Sequence, residues 1–306
     1  MHEMSVVFLG TSSARPTLKR NTASVAVSWG PDTVLFDCGE GTQTQLLRST
    51  VRPSRLRAVC ITHFHGDHIN GLPGLLGTMG LNGHEEPVTV AGPVGLDSYF
   101  ATLRRLSILR PSFPVQVVRN TDDVVFETPH WRIRTCGLEH RGPTRGYLFE
   151  ERDLPGRFQL ERARELGIPP GALYGQLQKG HAVTLEDGRT IEPHEVMGGA
   201  RRGRRVAYIS DTRPTAEVID FVAGADLLIH EATYTHDFAA EAHARGHSTA
   251  RQAAQVALAA GVGRLVLTHF STKYLSTAPL VEEARDVFPE TSAARDLAEY
   301  TLGVPD

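Results

Sequence analysis

Residues 63 to 68 read His63-Phe64-His65-Gly66-Asp67-His68 and pack three imidazoles and a carboxylate into one turn of chain. Imidazole nitrogen and carboxylate oxygen are the donors that hold zinc and similar divalent ions. Four such groups this close repel and desolvate one another unless a cation sits among them. In an extended segment alternate side chains share a face, so His63 and His65 can grip one ion together. Asp67 and His68 fall after the turn and point elsewhere, toward a second ion. One run that feeds two metals requires further ligands downstream, at least one of them bridging.

Those partners are sought at the ends of other apolar runs. His140 follows the segment from Trp131 to Glu139, Asp211 follows Val206-Ala207-Tyr208-Ile209-Ser210, and His269 follows Arg264-Leu265-Val266-Leu267-Thr268. Each is strand-like and ends in a ligand-type residue. Singly, each reads equally well as a polar residue capping a turn. Together with the 63–68 run they read as one site.

The elements that must position these groups follow from periodicity. Strands are expected near 5–10, 23–29, 33–37, 57–62, 87–91, 115–118, 123–127 and 131–137, and helices near 41–50, 69–80 and 94–109. The strand–helix rhythm resumes over 206–290, with segments at 206–210, 215–223, 226–230, 248–260, 264–268 and 278–287. The ligand run follows the apolar Ala58-Val59-Cys60-Ile61, so it sits where α/β proteins gather their sites, at the carboxyl end of a strand. Two such halves face to face give an α/β fold, an αββα sandwich of four layers.

The chain has 306 residues, 41% hydrophobic and 22% charged, which suffices for a large core. No run of 18 apolar residues occurs, so no helical membrane span is expected, and the start shows no secretory signal. Cys38, Cys60 and Cys136 are far apart and lie in or beside apolar segments. They read as buried thiols of a reducing cytoplasm, with a ligand role for Cys136 disfavoured by its neighbours. The net charge of −3 does not announce a nucleic-acid binder. Residues 152–205, however, carry 10 Lys or Arg against 7 Asp or Glu. The segment 150–197 is rich in Gly, Pro and charge and reads as an inserted, projecting arm. Tyr174, Leu177 and Ile191 could fold it into a small hairpin or helical pair.

The whole arrangement resembles the metallo-β-lactamase superfamily and, within it, the ribonuclease Z family of short-form tRNA 3′-processing endonucleases. The superfamily pattern is the 63–68 run with His140, Asp211 and His269. Narrower matches are Phe36-Asp37-Cys38-Gly39-Glu40-Gly41-Thr42-Gln43, His230-Glu231-Ala232-Thr233, His247-Ser248-Thr249, and the stretch from Gly167 to Leu177. The resemblance runs from about residue 1 to 300. It implies a single metallo-β-lactamase domain over 1–306, with 150–197 as an exosite arm that binds tRNA through residues such as Gly171, Tyr174 and Gly175. The family's Pro-x-Lys-x-Arg-Asn loop, tied to handling of the tRNA 3′ end, stands here as Pro16-Thr17-Leu18-Lys19-Arg20-Asn21. Leu18 occupies the lysine position, with Lys19 displaced by one. In the arm, Ala172 stands where proline is usual.

The resemblance further implies two zinc ions per subunit, with other divalent ions open. His63, His65 and His140 hold one, Asp67, His68 and His269 the other, and Asp211 bridges. It implies removal of the 3′ trailer after the discriminator nucleotide, leaving a tRNA 3′-hydroxyl and a trailer 5′-phosphate. Asp67 accepts the attacking water's proton, and His247, oriented by Glu231, supplies one to the leaving oxygen. Asp37 orders the ligand loop rather than binding metal. Phosphate contacts are expected from Arg20, Lys179, Arg201, Arg202, Arg204 and Arg205, and a cytoplasmic homodimer is implied. Two other readings share the metal ligands or the fold: a hydrolase of small substrates such as a phosphodiesterase, and a non-catalytic RNA-binding subunit.

Overall fold

The computed structural model describes residues 2–121 and 123–303. Its contacts separate two compact units, one made of the chain up to Glu150 together with Arg205–Gly303, the other of Glu151–Arg204.

The first unit opens with β1 (Met4–Gly10), β2 (Ser24–Trp29) and β3 (Asp32–Phe36), an antiparallel meander. Gly30, left-handed at φ 54, and Pro31 close the two-residue turn between β2 and β3. β4 (Leu56–Cys60), β5 (Val88–Gly92) and β6 (Val115–Arg119) then add in parallel. Helices α1 (Thr42–Arg48), α2 (Gly66–Ile69), α3 (Leu72–Leu81) and α4 (Leu96–Arg105) lie between them in sequence. The helix expected over 69–80 is α3, which begins three residues later, after the short α2. Pro73 stands in the first turn of α3, where its missing N–H costs nothing, so the chain restarts there. α4 is shorter than the expected 94–109, with Ser107 left-handed just beyond its end.

The second sheet begins with β7 (Val124–Glu127), β8 (Trp131–His140) and β9 (Gly142–Glu151). β8 carries its strand three residues past the expected end, so His140 is its last residue. β9 was not foreseen. The unit resumes with β12 (Arg205–Ile209), α7 (Ala216–Phe221), β13 (Leu227–Glu231), α8 (Ala239–Arg245), α9 (Ala250–Ala260), β14 (Leu265–Thr268), α10 (Ala278–Arg285), β15 (Thr291–Ala293) and β16 (Glu299–Leu302). β10 (Val183–Thr184) and β11 (Thr190–Ile191) belong to the other unit. One sheet runs β16-β1-β2-β3-β4-β5-β6, the other β15-β14-β13-β12-β9-β8-β7.

Alternation along the strands builds four layers. Val6, Phe8, Val34 and Phe36 from one sheet meet Ile133, Tyr147, Phe149 and Tyr208 from the other in a single buried cluster. The opposite faces, through Leu9, Leu35 and Val59, pack on Leu72, Leu76 and Phe100 of the helices. Ala207, Leu228 and Leu267 pack on the alanines of α9 and on Leu280 of α10. This is the expected αββα sandwich. β12, β13 and β14 are mutually parallel, and β8 and β12 both run antiparallel to β9 in the sheet order. Their carboxyl ends therefore share one edge.

The second unit holds α5 (Leu160–Glu165), α6 (Ala172–Gln178) and the β10–β11 hairpin around Ala163, Ile168, Leu177, Val183, Ile191 and Val196. So both elements offered for this segment, a helical pair and a hairpin, occur together. Its end lies beyond the expected residue 197. Leu154 bridges Arg201, the Gly198 N–H donates to Arg157 O, and Arg204 pairs with Glu151, so 198–204 close against 151–157.

Candidate metal centre and acid–base pair

Each strand end delivers one or two side chains. His63 stands three residues after β4 and is buried, whereas His65 is exposed. Gly66 starts α2, whose first turn carries Asp67 and His68. His140 ends β8, Asp211 follows β12 by two residues, Glu231 ends β13, and His269 follows β14. The structure brings all seven sequence-predicted ligands together. Donor atoms of His63, His65, His140 and Asp211 lie within 4.8 Å of one another, as do those of Asp67, His68 and His269. His63 Nε2 and His65 Nδ1 are 2.9 Å apart, and His68 Nε2 and His269 Nε2 are 3.2 Å apart.

Asp211 divides its oxygens between the two groups. Oδ2 lies 3.7 Å from His63 Nε2 and 3.7 Å from His140 Nε2. Oδ1 lies 3.2 Å from His269 Nε2 and 3.6 Å from His68 Nε2.

The far side of four of the five imidazoles, those of His63, His68, His140 and His269, fixes which nitrogen faces inward. His68 Nδ1 donates to Asp37 Oδ2 at 2.7 Å, and His140 Nδ1 donates to the Gly246 carbonyl at 2.7 Å. Thr62 Oγ1 gives its proton to Asp37 Oδ2 (2.9 Å) and so accepts from His63 Nδ1 (3.0 Å). Thr233 Oγ1 likewise donates to Glu231 Oε2 (2.7 Å) and accepts from His269 Nδ1 (3.1 Å). With Nδ1 spent, four Nε2 lone pairs converge. His140 Nε2 is buried without a hydrogen-bond partner. A buried polar atom left unpaired is costly, and the cost disappears when the partner is a cation. The residues present therefore fit a divalent metal ion.

Charge points the same way. Burial opposes ionisation of Asp67 and Asp211, yet His68 and His269 hold both well below the usual carboxylate range. Burial, with His68 beside it, pushes His63 down to about 2 and keeps it neutral. Burial also opposes charge on His68, but Asp37, Asp211 and Asp67 outweigh it and raise its pKa. The proton these carboxylates draw in is what a divalent cation displaces.

His247 lies at the rim, its side chain 13% exposed, with Nδ1 3.0 Å from Glu231 Oε1 and 3.9 Å from Asp211 Oδ2. Burial disfavours its charge, but the Glu231 and Asp211 carboxylates raise its pKa to about 9. Glu231 is fully buried and accepts from the N–H groups of Thr212 (3.2 Å), Ser248 (2.8 Å) and Thr233 (2.9 Å). This is a rigid carboxylate with an imidazole leaning on it. Thr249, two residues beyond His247, caps α9 with Gln252, so the helix start fixes this turn.

Other singled-out residues sit elsewhere. Arg20 and Asn21 brace their own loop: Arg20 Nη1 donates to Tyr274 O (3.1 Å) and lies over the Phe270 ring, and Asn21 Nδ2 donates to Glu40 O (2.9 Å). Leu18 is fully exposed and Lys19 exposed beside it. Gly171, Tyr174, Gly175 and Lys179 belong to the second unit. There Lys179 is exposed, Gly171 takes φ 139 before α6, and Tyr174 OH donates to Ile168 O (3.1 Å). Arg204 is a correction. It is 1% exposed, with Nε and Nη2 on the two Glu151 oxygens at 2.8 and 2.9 Å, so it does not reach a phosphate. Cys136 is free and stands in none of the three possible ligand groups, the third of which joins Asp211, His247 and His269. Sequence reasoning gave no role to Thr233 beyond its motif, although its hydroxyl ties Glu231 to His269. It missed Gly246 altogether, where the signal would have been a glycine that ends α8 beside His247.

The metallo-β-lactamase superfamily pattern matches residues 23–154, and that of a β-lactamase superfamily domain matches 177–270. Ribonuclease Z of Gloeothece citriformis is 46% identical over 98% of this chain and 96% of its own length. Ribonuclease Z of Nostoc sp. is 46% identical over 98% and 95%. The crystal structure of human tRNase Z, short form, superposes with a TM-score of 0.71 at 27% identity, covering 99% of this chain and 100% of the human one. Likeness this strong along nearly the whole chain, with seven donors gathered at one centre, places the chain in the ribonuclease Z family of the metallo-β-lactamase superfamily.

Proposed function

We propose that this chain is a divalent-metal endoribonuclease that removes the 3′ trailer from precursor tRNA. It cuts after the discriminator nucleotide and leaves a tRNA 3′-hydroxyl and a trailer 5′-phosphate. The observation that carries the reading is the His247–Glu231 pair standing beside two ligand groups that share Asp211. A binding protein has no use for a proton donor there, and near-full-length likeness to ribonuclease Z supplies the substrate class.

His63, His65 and His140 would hold one zinc ion, Asp67, His68 and His269 the second, with one Asp211 oxygen toward each group. Zinc bound there supplies Lewis acidity, which acidifies water and offsets the charge on phosphorus-bound oxygens. Asp67 accepts the proton of the attacking water. His247, charged because Glu231 and Asp211 hold it so, donates its proton to the departing ribose 3′-oxygen. Glu231 fixes the ring and stabilises its charged form. Residues 151–204, with Gly171, Tyr174, Gly175 and Lys179, serve as the exosite arm that grips the tRNA by shape and phosphate. The enzyme works as a cytoplasmic homodimer. No helix among the described residues is long and apolar enough to cross a membrane.

The test is an end-labelled precursor tRNA with a 3′ trailer, incubated with and without chelator and mapped to one nucleotide. A single metal-dependent cut after the discriminator is expected. Cleavage elsewhere, or none by zinc-loaded protein, overturns the reading.

A further inference from the structure

The loop between β1 and β2 touches the site at a point the reaction above does not use. Ala14 takes φ 62, a left-handed conformation that glycine adopts freely and alanine resists. Its side chain is exposed, so packing does not impose the conformation. The Ala14 N–H donates to Asp67 Oδ2, 2.7 Å away, a charge-assisted distance. The same oxygen faces His68 Nε2 at 3.3 Å and His269 Nε2 at 3.4 Å. All three contacts fall on Oδ2, and among the described residues Oδ1 is the open oxygen of the carboxylate.

The loop's stem is tied down. The Ser12 N–H donates to Asn21 O (2.9 Å), the Ser13 N–H to Phe270 O (3.0 Å), and the Asn21 N–H to Asp296 Oδ2 (2.6 Å). Between these ties, residues 14–19 are exposed. The first residue of the exposed stretch is therefore the one that holds the carboxylate. Strained backbone that survives at a site edge points to a use.

We infer that Ala14 is a positioning residue for the hydrolysis: its backbone N–H locks Asp67 with Oδ2 toward His68 and His269 and Oδ1 toward the attacking water. The inference rests on Asp67 being the proton acceptor. It makes loop 14–19 part of the catalytic apparatus, since a substrate strand lying on the exposed stretch bears directly on the residue that orients Asp67.

The cleanest perturbation removes only the N–H. Lactic acid replaces Ala14 by nonsense suppression in the full chain, which turns the amide into an ester and keeps the methyl group. Two readouts apply: zinc affinity by chelator competition, and kcat and KM on a small activated phosphodiester that does not reach the loop. Groups that orient metal ligands typically contribute 10–100-fold. Zinc affinity is expected to fall about tenfold, and kcat about tenfold with KM unchanged. Ala14→Val, β-branched at a left-handed position, shifts both in the same direction. Ala14→Gly keeps the N–H and binds zinc with the parent affinity. Unchanged kcat and zinc affinity in a folded ester variant overturn the inference. So does a loss confined to precursor tRNA, which would make the loop a substrate contact alone. If the parent hydrolyses the small diester but leaves precursor tRNA uncut, the proposed function fails while this inference is still decided by the diester data.

Discussion

If His247 is the general acid, its loss must depend on how badly the leaving group needs a proton. A ribose 3′-alkoxide is a poor leaving group and departs only as it is protonated. A nitrophenolate departs as a stable anion. His247→Ala should therefore cut the rate on precursor tRNA by roughly 10²–10⁴-fold, the span of a positioned acid. At 1.36 kcal/mol per decade that is about 3–5 kcal/mol of transition-state stabilisation. On a bis(nitrophenyl) phosphate the loss should stay within severalfold. The structure supports the contrast because Nδ1 of His247 is 3.0 Å from Glu231 Oε1, its nearer carboxylate, and 3.9 Å from Asp211 Oδ2. Donor atoms of His247, Asp211 and His269 also lie within 4.8 Å of one another, so zinc content separates an acid from a ligand. Zinc content, measured on both proteins, should be equal.

Glu231 sharpens the test. Its two oxygens accept three backbone N–H groups as well as the Thr233 hydroxyl and His247. In Glu231→Gln the new NH2 faces backbone donors whichever way the amide turns. Hydrogen bonds to a charged acceptor are each worth about 1.5–3 kcal/mol, so this variant should lose thermal stability that His247→Ala keeps. Parallel kinetic losses on both substrates in His247→Ala, at full zinc occupancy, would refute the acid assignment.

Chelation should abolish cleavage and lower the thermal midpoint, since five imidazoles and two carboxylates lose the cation they share; added zinc should restore both, as followed by calorimetry. In Gly246→Ala a Cβ would sit 2.9 Å from His140 Nδ1 at a position with φ 76, so a loss of about 1–2 kcal/mol and weaker zinc binding are expected, read by denaturant titration and chelator competition. Replacing residues 151–204 by a short turn is sterically simple, because Glu150 and Arg205 are paired neighbours on β9 and β12. The shortened protein should hydrolyse the small diester and lose precursor-tRNA cleavage, and retained tRNA cleavage would refute the exosite assignment.

What could be read in advance is instructive in its unevenness. The 63–68 run was legible because ligand chemistry is concentrated in six adjacent residues. His140, Asp211 and His269 were legible because each ends an apolar run, and parallel strands put like ends together. β9 was not, since Gly142-Pro143-Thr144-Arg145-Gly146 reads as loop chemistry; burial against the opposite sheet makes it a strand instead. β16 hid for the opposite reason, being a half-exposed edge with little apolar signal. Arg204 read as one of a surface run, but its partner Glu151 lies 53 residues away in sequence and takes it inside.

The groups that orient the site were harder still, for a physical reason. Gly246 acts through a carbonyl, Ala14 through an N–H, and Thr233 through a hydroxyl of the kind common in turns. Backbone groups are the same in every residue, so side-chain type carries no trace of their work. Only conformation betrays them: Ala14 and Gly246 both sit at positive φ beside this one centre. Ligand identity is thus written in residue type, whereas ligand orientation is written in backbone dihedrals, which a sequence specifies only through the whole fold.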